Sequence, residues 1–379
     1  MSPAATIADD RVPVLSRRLE RLLCILVVAA AVKAPLGIPL YLNSVLLLLG
    51  VFSLIVLQGV PRLFLWNLAL VALGTLSAWR LGILADSGPR LMQLFLTLLA
   101  TALIMRLDPE LLGRYLALLL PLSLLVLAAE PLLPEALYKA RVVFGVGISR
   151  QGGLHGEPNY NAMLYGVVGM ILAQQRPRWL GIPPLLAAAP SLSRGLVAAI
   201  VSWLGAKAVG RRAVWLAPLA AVVLCAQPLI VLAVDDVIGP DTRQQLNRLT
   251  SNRYMIWAAH AEAGAQAPLG VGYFNAEAVI TRFDSPAGRA DRLIQTGPQS
   301  HSVFLQVLGE FGWVGYLLFV GFVLHLNLIV ARFAPRQLPL LLFILTGYAF
   351  LNGLTDWPFW VGIGYVLAHT RPAPQAASP

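Results

Sequence analysis

His301-Ser302 stands at the entrance of a long apolar run and is followed, after nine intervening residues, by Gly312-Trp313-Val314-Gly315. An imidazole ordinarily titrates near neutrality, so His301 can take a proton from a hydroxyl and release it again. A hydrogen bond at a helix start and a metal ligand are the other uses of such a residue. Metal is disfavoured, because no second His, Cys or carboxylate stands near it at a ligand spacing such as HxxxH. Glu310, nine residues on, would lie about 14 Å deeper at helical rise. That is too far for direct partnership unless the helix breaks at Gly309 or Gly312, so Glu310 reads as a structural residue capping the continuation of the helix.

Three other polar segments offer partners. Arg194, in Ser191-Leu192-Ser193-Arg194-Gly195, sits at a predicted helix boundary with few acids near it in sequence. An arginine at membrane level either snorkels to a lipid headgroup or occupies a fixed phosphate site, where its planar fork binds two oxygens at once. A helix predicted over 251–264, capped by Ser251 or Asn252 and stopped by Pro268, brings Arg253, Trp257 and His260 onto one face. That face is either an interfacial anchor on the bilayer or an inward wall that sets Arg253 opposite Arg194. A glycine-punctuated turn, Pro268-Leu269-Gly270-Val271-Gly272-Tyr273-Phe274-Asn275, follows it. The third segment runs from Arg150 to Asn161, where Gly152, Gly153 and Gly156 let the backbone approach a ligand and Pro158 can open a helix. It is either a pocket wall or a turn in which Glu157 and Asn159 cap that helix. The candidate substrate contacts are therefore Arg150, Glu157, Asn159, Trp257, Tyr273 and Asn275.

The elements that must hold these residues are membrane helices. Hydrophobic residues make up 58% of the 379-residue chain and charged ones 12%, half the usual share of a water-solvated domain. The run 213–234 carries no charge over 22 residues, enough to cross a hydrocarbon core. About twelve spans are predicted, at 21–36, 40–60, 63–84, 90–107, 110–129, 158–175, 178–191, 194–210, 213–234, 301–331, 338–353 and 356–370. The seventh is short and bears Pro183 and Pro184. Alternating hydrophobicity is absent, so the spans are helices and not barrel strands.

With the N-terminus inside, the inner segments carry 15 Arg and Lys and the short outer ones seven, namely Lys33, Arg80, Arg90, Lys139, Arg141, Arg150 and Arg194. The positive-inside rule favours that orientation. All three polar segments then fall outside, with 235–300 as one large loop between the ninth and tenth spans. Residues 1–20 form a cytoplasmic segment without the features of a cleavable signal, residues 21–371 a single transmembrane domain, and 372–379 a flexible cytoplasmic tail. The net charge of +10 is spread over short loops rather than gathered in a stripe, which argues against nucleic acid. The charges Arg243, Arg248, Arg282, Asp284, Arg289, Asp291 and Arg292 in the large loop are mixed in sign and read as solvated. Cys24 and Cys225 lie in apolar spans and suggest neither a disulfide nor a zinc site.

Taken together, His301-Ser302-x9-Gly312-x-x-Gly315, the Glu157-Pro158-Asn159 loop, Ser193-Arg194-Gly195, and the Arg253-Tyr254-Met255-Ile256-Trp257 helix leading to Pro268-Leu269-Gly270-Val271-Gly272 resemble the O-antigen ligase and O-antigen polymerase superfamily. The resemblance implies an all-α GT-C type fold and metal-independent inverting glycosyl transfer, without a cofactor, at the periplasmic face of the bacterial inner membrane. The donor implied is a glycan on undecaprenyl pyrophosphate. The acceptor is lipid A-core for a ligase, or a growing polysaccharide for an O-antigen or exopolysaccharide polymerase, with polysaccharide assembly proteins as further partners. By similarity Arg194 and Arg253 hold the pyrophosphate and His301 activates the acceptor. Serine after the histidine, a short loop and a short tail depart from larger members, and the acceptor is left open by them. A polyprenyl-lipid transporter or flippase, binding the same anion without chemistry, is the reading from another class; the chain shows no internal repeat of the kind transporters carry.

Overall fold

A computed structural model describes residues 15–31, 49, 62–121, 138–143, 146–151, 157–175, 177–191, 193–250, 253–283 and 299–371. The predicted span 40–60, the second half of 110–129, the glycines between Gln151 and Glu157, the caps Ser251 and Asn252, the charges Asp284, Arg289, Asp291 and Arg292, and both chain ends lie outside these residues, apart from Leu49. The described chain is mainly helical. Its helices are α1 (Arg17–Ala31), α2 (Leu65–Arg80), α3 (Leu84–Ile104), α4 (Pro109–Leu116), α5 (Pro158–Leu172), α6 (Ile182–Ala188), α7 (Arg194–Ala208) and α8 (Ala213–Cys225). There follow α9 (Gln227–Val237), α10 (Pro240–Leu249), α11 (Tyr254–Gln266), α12 (Ala276–Phe283), α13 (Val303–Phe333), α14 (Leu338–Tyr348) and α15 (Trp357–Ala368).

Three described helices are long and apolar enough to cross a membrane: Arg62–Arg80, Leu84–Ile104 and Val303–Phe333, and the bent pair α7 and α8 adds a fourth if it counts as one span. Several of the predicted spans that fall on described residues map onto shorter and more broken helices than hydropathy suggests. Predicted span 178–191 is a relay of two 3₁₀ turns around the seven-residue α6. Predicted span 213–234 divides at Ala226 into α8 and α9, because Pro228 lacks the N–H that would continue the ladder. An all-α chain is corrected in one place: Tyr138–Val143 (β1) pairs antiparallel with Val146–Gln151 (β2), joining Lys139 to Arg150 in register. The large loop is also more helical than the single helix expected, with α10 and α12 flanking α11.

One buried apolar cluster joins most of the helices, with Phe304, Phe319, Phe322, Phe343, Phe359 and Trp360 among its largest fully buried members. α7 lies along α14, α11 along α13, and α2 and α8 also pack on α13. Polar side chains gather at the two ends of this bundle. At one end Arg17 pairs with Asp108 (2.9 Å) and Glu20 (3.1 Å), Glu20 also accepts from the Asp108 N–H (2.6 Å), and Arg371 donates to the Met105 carbonyl (3.1 Å). At the other end Ser87 donates to the Tyr273 carbonyl (2.6 Å) and Ser77 to that of Leu269 (3.1 Å). Between them α3 runs 21 residues, about 31 Å at helical rise. The chain's first described helix and its last described residue therefore share an end, opposite the turn 268–275.

The long helix α13 is broken. Gly312 has φ +67° and ψ −170°, far outside helical values. A break inside a hydrocarbon-length helix strands carbonyls and N–H groups that lipid cannot satisfy. The turn after α11 supplies the partners. Val271 donates to the Gly309 carbonyl (3.2 Å), Gly272 to that of Glu310 (3.0 Å), and Val314 donates to the Pro268 carbonyl (3.2 Å). Two backbones meet so closely that a Cβ on Gly312 would lie 2.2 Å from the Pro268 oxygen, and one on Gly270 2.3 Å from the Glu310 oxygen. The two glycines are a matched pair: each allows a left-handed turn and the approach of the other segment.

Candidate functional site

Arg253 stands at the N-cap of α11 without capping it. The preceding helix does so instead, since Thr250 Oγ1 accepts from the Tyr254 N–H (2.9 Å) and Asn247 Oδ1 from that of Met255 (3.2 Å). The guanidinium is thereby left to reach outward, and its Nη1 donates to the Phe350 carbonyl (3.2 Å). One turn further on, the Trp257 indole N–H donates to the Ser300 carbonyl (2.7 Å), and its ring lies 6.4 Å from that of Phe350. His260, fully buried, packs on Gly309. The predicted common face of Arg253, Trp257 and His260 exists, and it faces protein, which excludes the reading as an anchor lying on the bilayer.

Arg194 opens α7 after Ser193, whose hydroxyl accepts from the Leu196 N–H (3.4 Å). Its Nη1 donates to the Leu249 carbonyl (2.6 Å) at the end of α10, while the side chain stays exposed. Only one of the five N–H donors of its fork is needed for that bond. The next residue, Gly195, presses on the turn after α14: a Cβ there would lie 3.2 Å from the Gly347 oxygen and 3.2 Å from the Phe350 Cβ.

His301 is half-buried and has φ +50°, a left-handed backbone that costs a residue with a side chain about 1 kcal/mol or more. Its two neighbours are tied down on either side. Ser300 donates to Asn352 Oδ1 (2.8 Å). Ser302 caps α13 by accepting from Leu305 N–H (3.4 Å) and donates to Gln227 Oε1 (2.9 Å), and Gln227 in turn donates to the Ala349 carbonyl (3.2 Å). The turn 349–352 is therefore a common hub. Phe350 receives Arg253 and touches the start of α7 beside Arg194, while Asn352 accepts directly from Ser300 and Ala349 is tied to Ser302 through Gln227.

The remaining predicted contacts divide. Glu157 is the N-cap of α5, accepting from the N–H groups of Asn159 (2.9 Å) and Tyr160 (3.1 Å), and the buried Asn159 donates its amide back to Glu157 (3.3 Å). The capping alternative is thus realised for Glu157. Arg150 belongs to β2, so it is in a strand rather than in the glycine loop, and its side chain lies outside the described residues. Tyr273 is wholly buried, with its ring 5.0 Å from that of Phe311. Burial first and the Glu310 charge second raise its phenol well above the ordinary value and keep it neutral. It packs in the core instead of lining an open surface. Asn275 closes the turn on itself by donating to the Val271 carbonyl (2.8 Å).

Glu310 is structural, as its distance from His301 suggested, but not as a cap on its own helix. Its carboxylate accepts from the Phe274 N–H (3.0 Å) and the Gln306 amide (3.4 Å), pinning the turn to the broken helix. Of the charges read as solvated, Arg243 is paired with Asp235 (2.9 Å). Beside them the Tyr254 phenol is pushed up to about 12 by burial and by the Asp235 charge.

Sequence reasoning passed over Gln227, Phe350, Asn352 and Tyr160. Tyr160 sits beside this hub, hydrogen-bonded to the Asn352 backbone and within reach of the charges of Asp356, Glu157 and Arg253. Gln227 carried a readable signal, as the one amide in the 22-residue run 213–234, since a polar side chain at membrane depth generally has a partner. The hub turn is not distinguished by residue type.

Residues 162–320 match the family model described as O-Antigen ligase. No curated protein matches the chain, and neither does any solved structure. The matched segment begins in α5 and ends in α13, so it takes in Arg194, Gln227, Arg253, the glycine-paired break and His301. Members of that family are membrane ligases and polymerases of the glycosyltransferase kind, working on lipid-linked glycans and polysaccharides. The O-antigen ligase match over residues 162–320, together with apolar helices of spanning length, supports a membrane protein related to the O-antigen ligase and polymerase superfamily.

Proposed function

We propose that the protein transfers a glycan from undecaprenyl pyrophosphate to a sugar hydroxyl at the periplasmic face of the inner membrane. Transfer is a single inverting displacement, and the acceptor is lipid A-core, as for a ligase. The observation that carries this reading is the gathering of Arg253, the start of α7 at Arg194, and the serines around His301, Ser300 directly and Ser302 through Gln227, on one four-residue turn, 349–352.

In the proposed reaction the acceptor oxygen attacks the anomeric carbon while the bond from that carbon to the pyrophosphate oxygen breaks. The hydroxyl proton passes to the His301 imidazole and from there to solvent, and undecaprenyl pyrophosphate leaves with the bonding pair. Negative charge grows on the leaving phosphate, and Arg194 and Arg253 would stabilise it by charge-assisted hydrogen bonds. Both arginines now hold backbone carbonyls, which are weaker partners than a phosphate, so donor binding exchanges those bonds for stronger ones. A covalent carboxylate nucleophile is not required for an inverting displacement.

The test is transfer by purified protein given carrier-linked glycan and lipid A-core in detergent, without ATP. A new glycosidic bond to core supports the ligase reading. Extension of carrier-linked chains instead makes it a polymerase, and movement of the lipid across liposomes with no new bond makes it a transporter. In cells, deletion should remove long-chain material from core and leave polymer on the carrier.

A further inference from the structure

His301 occupies a left-handed backbone conformation that most residues avoid, and it does so between two serines each held by a side-chain amide from elsewhere in the fold. A strained residue keeps its conformation only where its surroundings over-determine it. On one side the restraint is Asn352, whose Oδ1 accepts from Ser300, while the Ser300 carbonyl accepts from Trp257. On the other it is Gln227, which accepts from Ser302 through Oε1 and donates through Nε2 to Ala349. Ser300 and Ser302 are themselves buried, at 1% and 0% exposure, so neither can trade these partners for bulk water. Gln227 stands in the first turn of α9, at the break after α8, and is 75 and 122 positions in sequence from Ser302 and Ala349, the two partners of its side-chain hydrogen bonds.

We infer that Gln227 is a positioning residue for His301: by bridging the Ser302 hydroxyl to the Ala349 carbonyl it locks the left-handed turn that aims the imidazole at the acceptor. Asn352 is its counterpart on the Ser300 side. This rests on the proposed role of His301 in proton transfer and adds to it the device that holds the imidazole in place. It also gives the α8–α9 break a purpose, because a continuous helix through Ala226 would not deliver the Gln227 amide at a helix start.

The two ends of the bridge differ, so they can be separated. Gln227→Met keeps the volume and removes both bonds. Gln227→Glu keeps an acceptor for Ser302 and loses the donor to Ala349. The double variant Gln227→Asn with Ser302→Asn keeps the combined side-chain reach across the gap, with Asn still able to cap α13. Each variant is assayed for transfer of carrier-linked glycan, with kcat and KM for donor and acceptor, and for thermal unfolding in detergent. Gln227→Met is expected to lower kcat by about ten- to a hundredfold, the loss that a misplacement on the order of 1 Å brings, with donor KM and unfolding midpoint near those of the wild type. Gln227→Glu should fall between it and the wild type, and the Asn–Asn pair should recover most of the rate. A Gln227→Met protein with unchanged kcat overturns the inference, as does one whose rate falls only in step with its stability or with donor KM. His301→Ala runs alongside: full transfer by that variant refutes the role of His301 itself, whereas its inactivity beside an active Gln227→Met refutes only the bridge.

Discussion

Replacing Gly312 by alanine sets the joint between the broken helix α13 and the turn 268–274 its most direct test. The added Cβ would lie 2.2 Å from the Pro268 oxygen, 2.4 Å from the Ala267 oxygen and 2.4 Å from the Gly270 nitrogen. All three are backbone atoms, so no side-chain rotation relieves the overlap. The φ of +67° adds about 1–2 kcal/mol for any residue bearing a Cβ. Making room means drawing the turn away from the break, which gives up the bonds Val271 to Gly309, Gly272 to Glu310, Val314 to Pro268 and Phe274 to the Glu310 carboxylate. At a net value of about 1 kcal/mol each, the total reaches about 5 kcal/mol, a large part of what holds a typical fold together.

Thermal or denaturant unfolding of the purified protein in detergent reads this directly. Gly205→Ala is the matched control, because Gly205 lies inside α7 with open space where its Cβ would go. There alanine should be neutral or favourable by about 1 kcal/mol through helix propensity. Gly270→Ala, which would collide with the Glu310 oxygen at 2.3 Å, attacks the same joint from the other side. The double variant should therefore cost less than the sum of the two single ones. A Gly312→Ala protein that unfolds at the same midpoint as Gly205→Ala would refute the reasoning, since the clash and the bonds would then carry no weight.

Arg194→Ala and Arg253→Ala are each expected to lose about 3 kcal/mol of transition-state stabilisation, or roughly a hundredfold in transfer rate; unchanged donor turnover in either variant would remove that arginine from the mechanism. Trp257→Phe keeps the ring beside Phe350 and removes the hydrogen bond to Ser300, so unfolding should show a loss of about 1 kcal/mol. For Asp108, burial raises the carboxyl pKa, but the hydrogen bond from Arg17, the N–H groups of Glu110 and Leu111, and the Arg17 charge outweigh it and hold the group below the ordinary carboxylate range. The depressed value means that its stabilising contribution is complete above the ordinary carboxylate range and is lost as pH falls through the folded value. Arg17→Ala should move the acid limb of the stability curve to higher pH, and coincident limbs for variant and wild type would contradict this.

The helical membrane class was legible because apolar runs of spanning length leave the backbone few alternatives. So were the start of α5 at Pro158 behind Glu157, the start of α7 behind Ser193, and the stop of α11 before Pro268, each a local signal from one to three residues. The spacing Arg253, Trp257, His260 gave their shared face correctly. What that face meets was not legible, since a stripe that packs on protein and one that lies on lipid look alike in periodicity. Tyr273 shows the opposite limit: an aromatic residue in a glycine-rich turn suggests a ligand contact, yet Phe311 and the Ser87 hydroxyl, from two distant helices, enclose it.

By itself the sequence determined that the chain is mainly helical, where glycine allows a break, and which residues carry charge or a titratable ring. Each of these follows from local propensity and hydropathy, which act over one or two helical turns. Only the tertiary structure decided that the turn 349–352 is the meeting point, that Gln227 and Asn352 hold the serines around His301, and that the turn 268–274 completes the broken helix. Those contacts join residues from 36 to 122 positions apart. Whether such groups meet depends on how the helices pack and where unsatisfied backbone finds a partner, and no stretch of sequence contains that information alone.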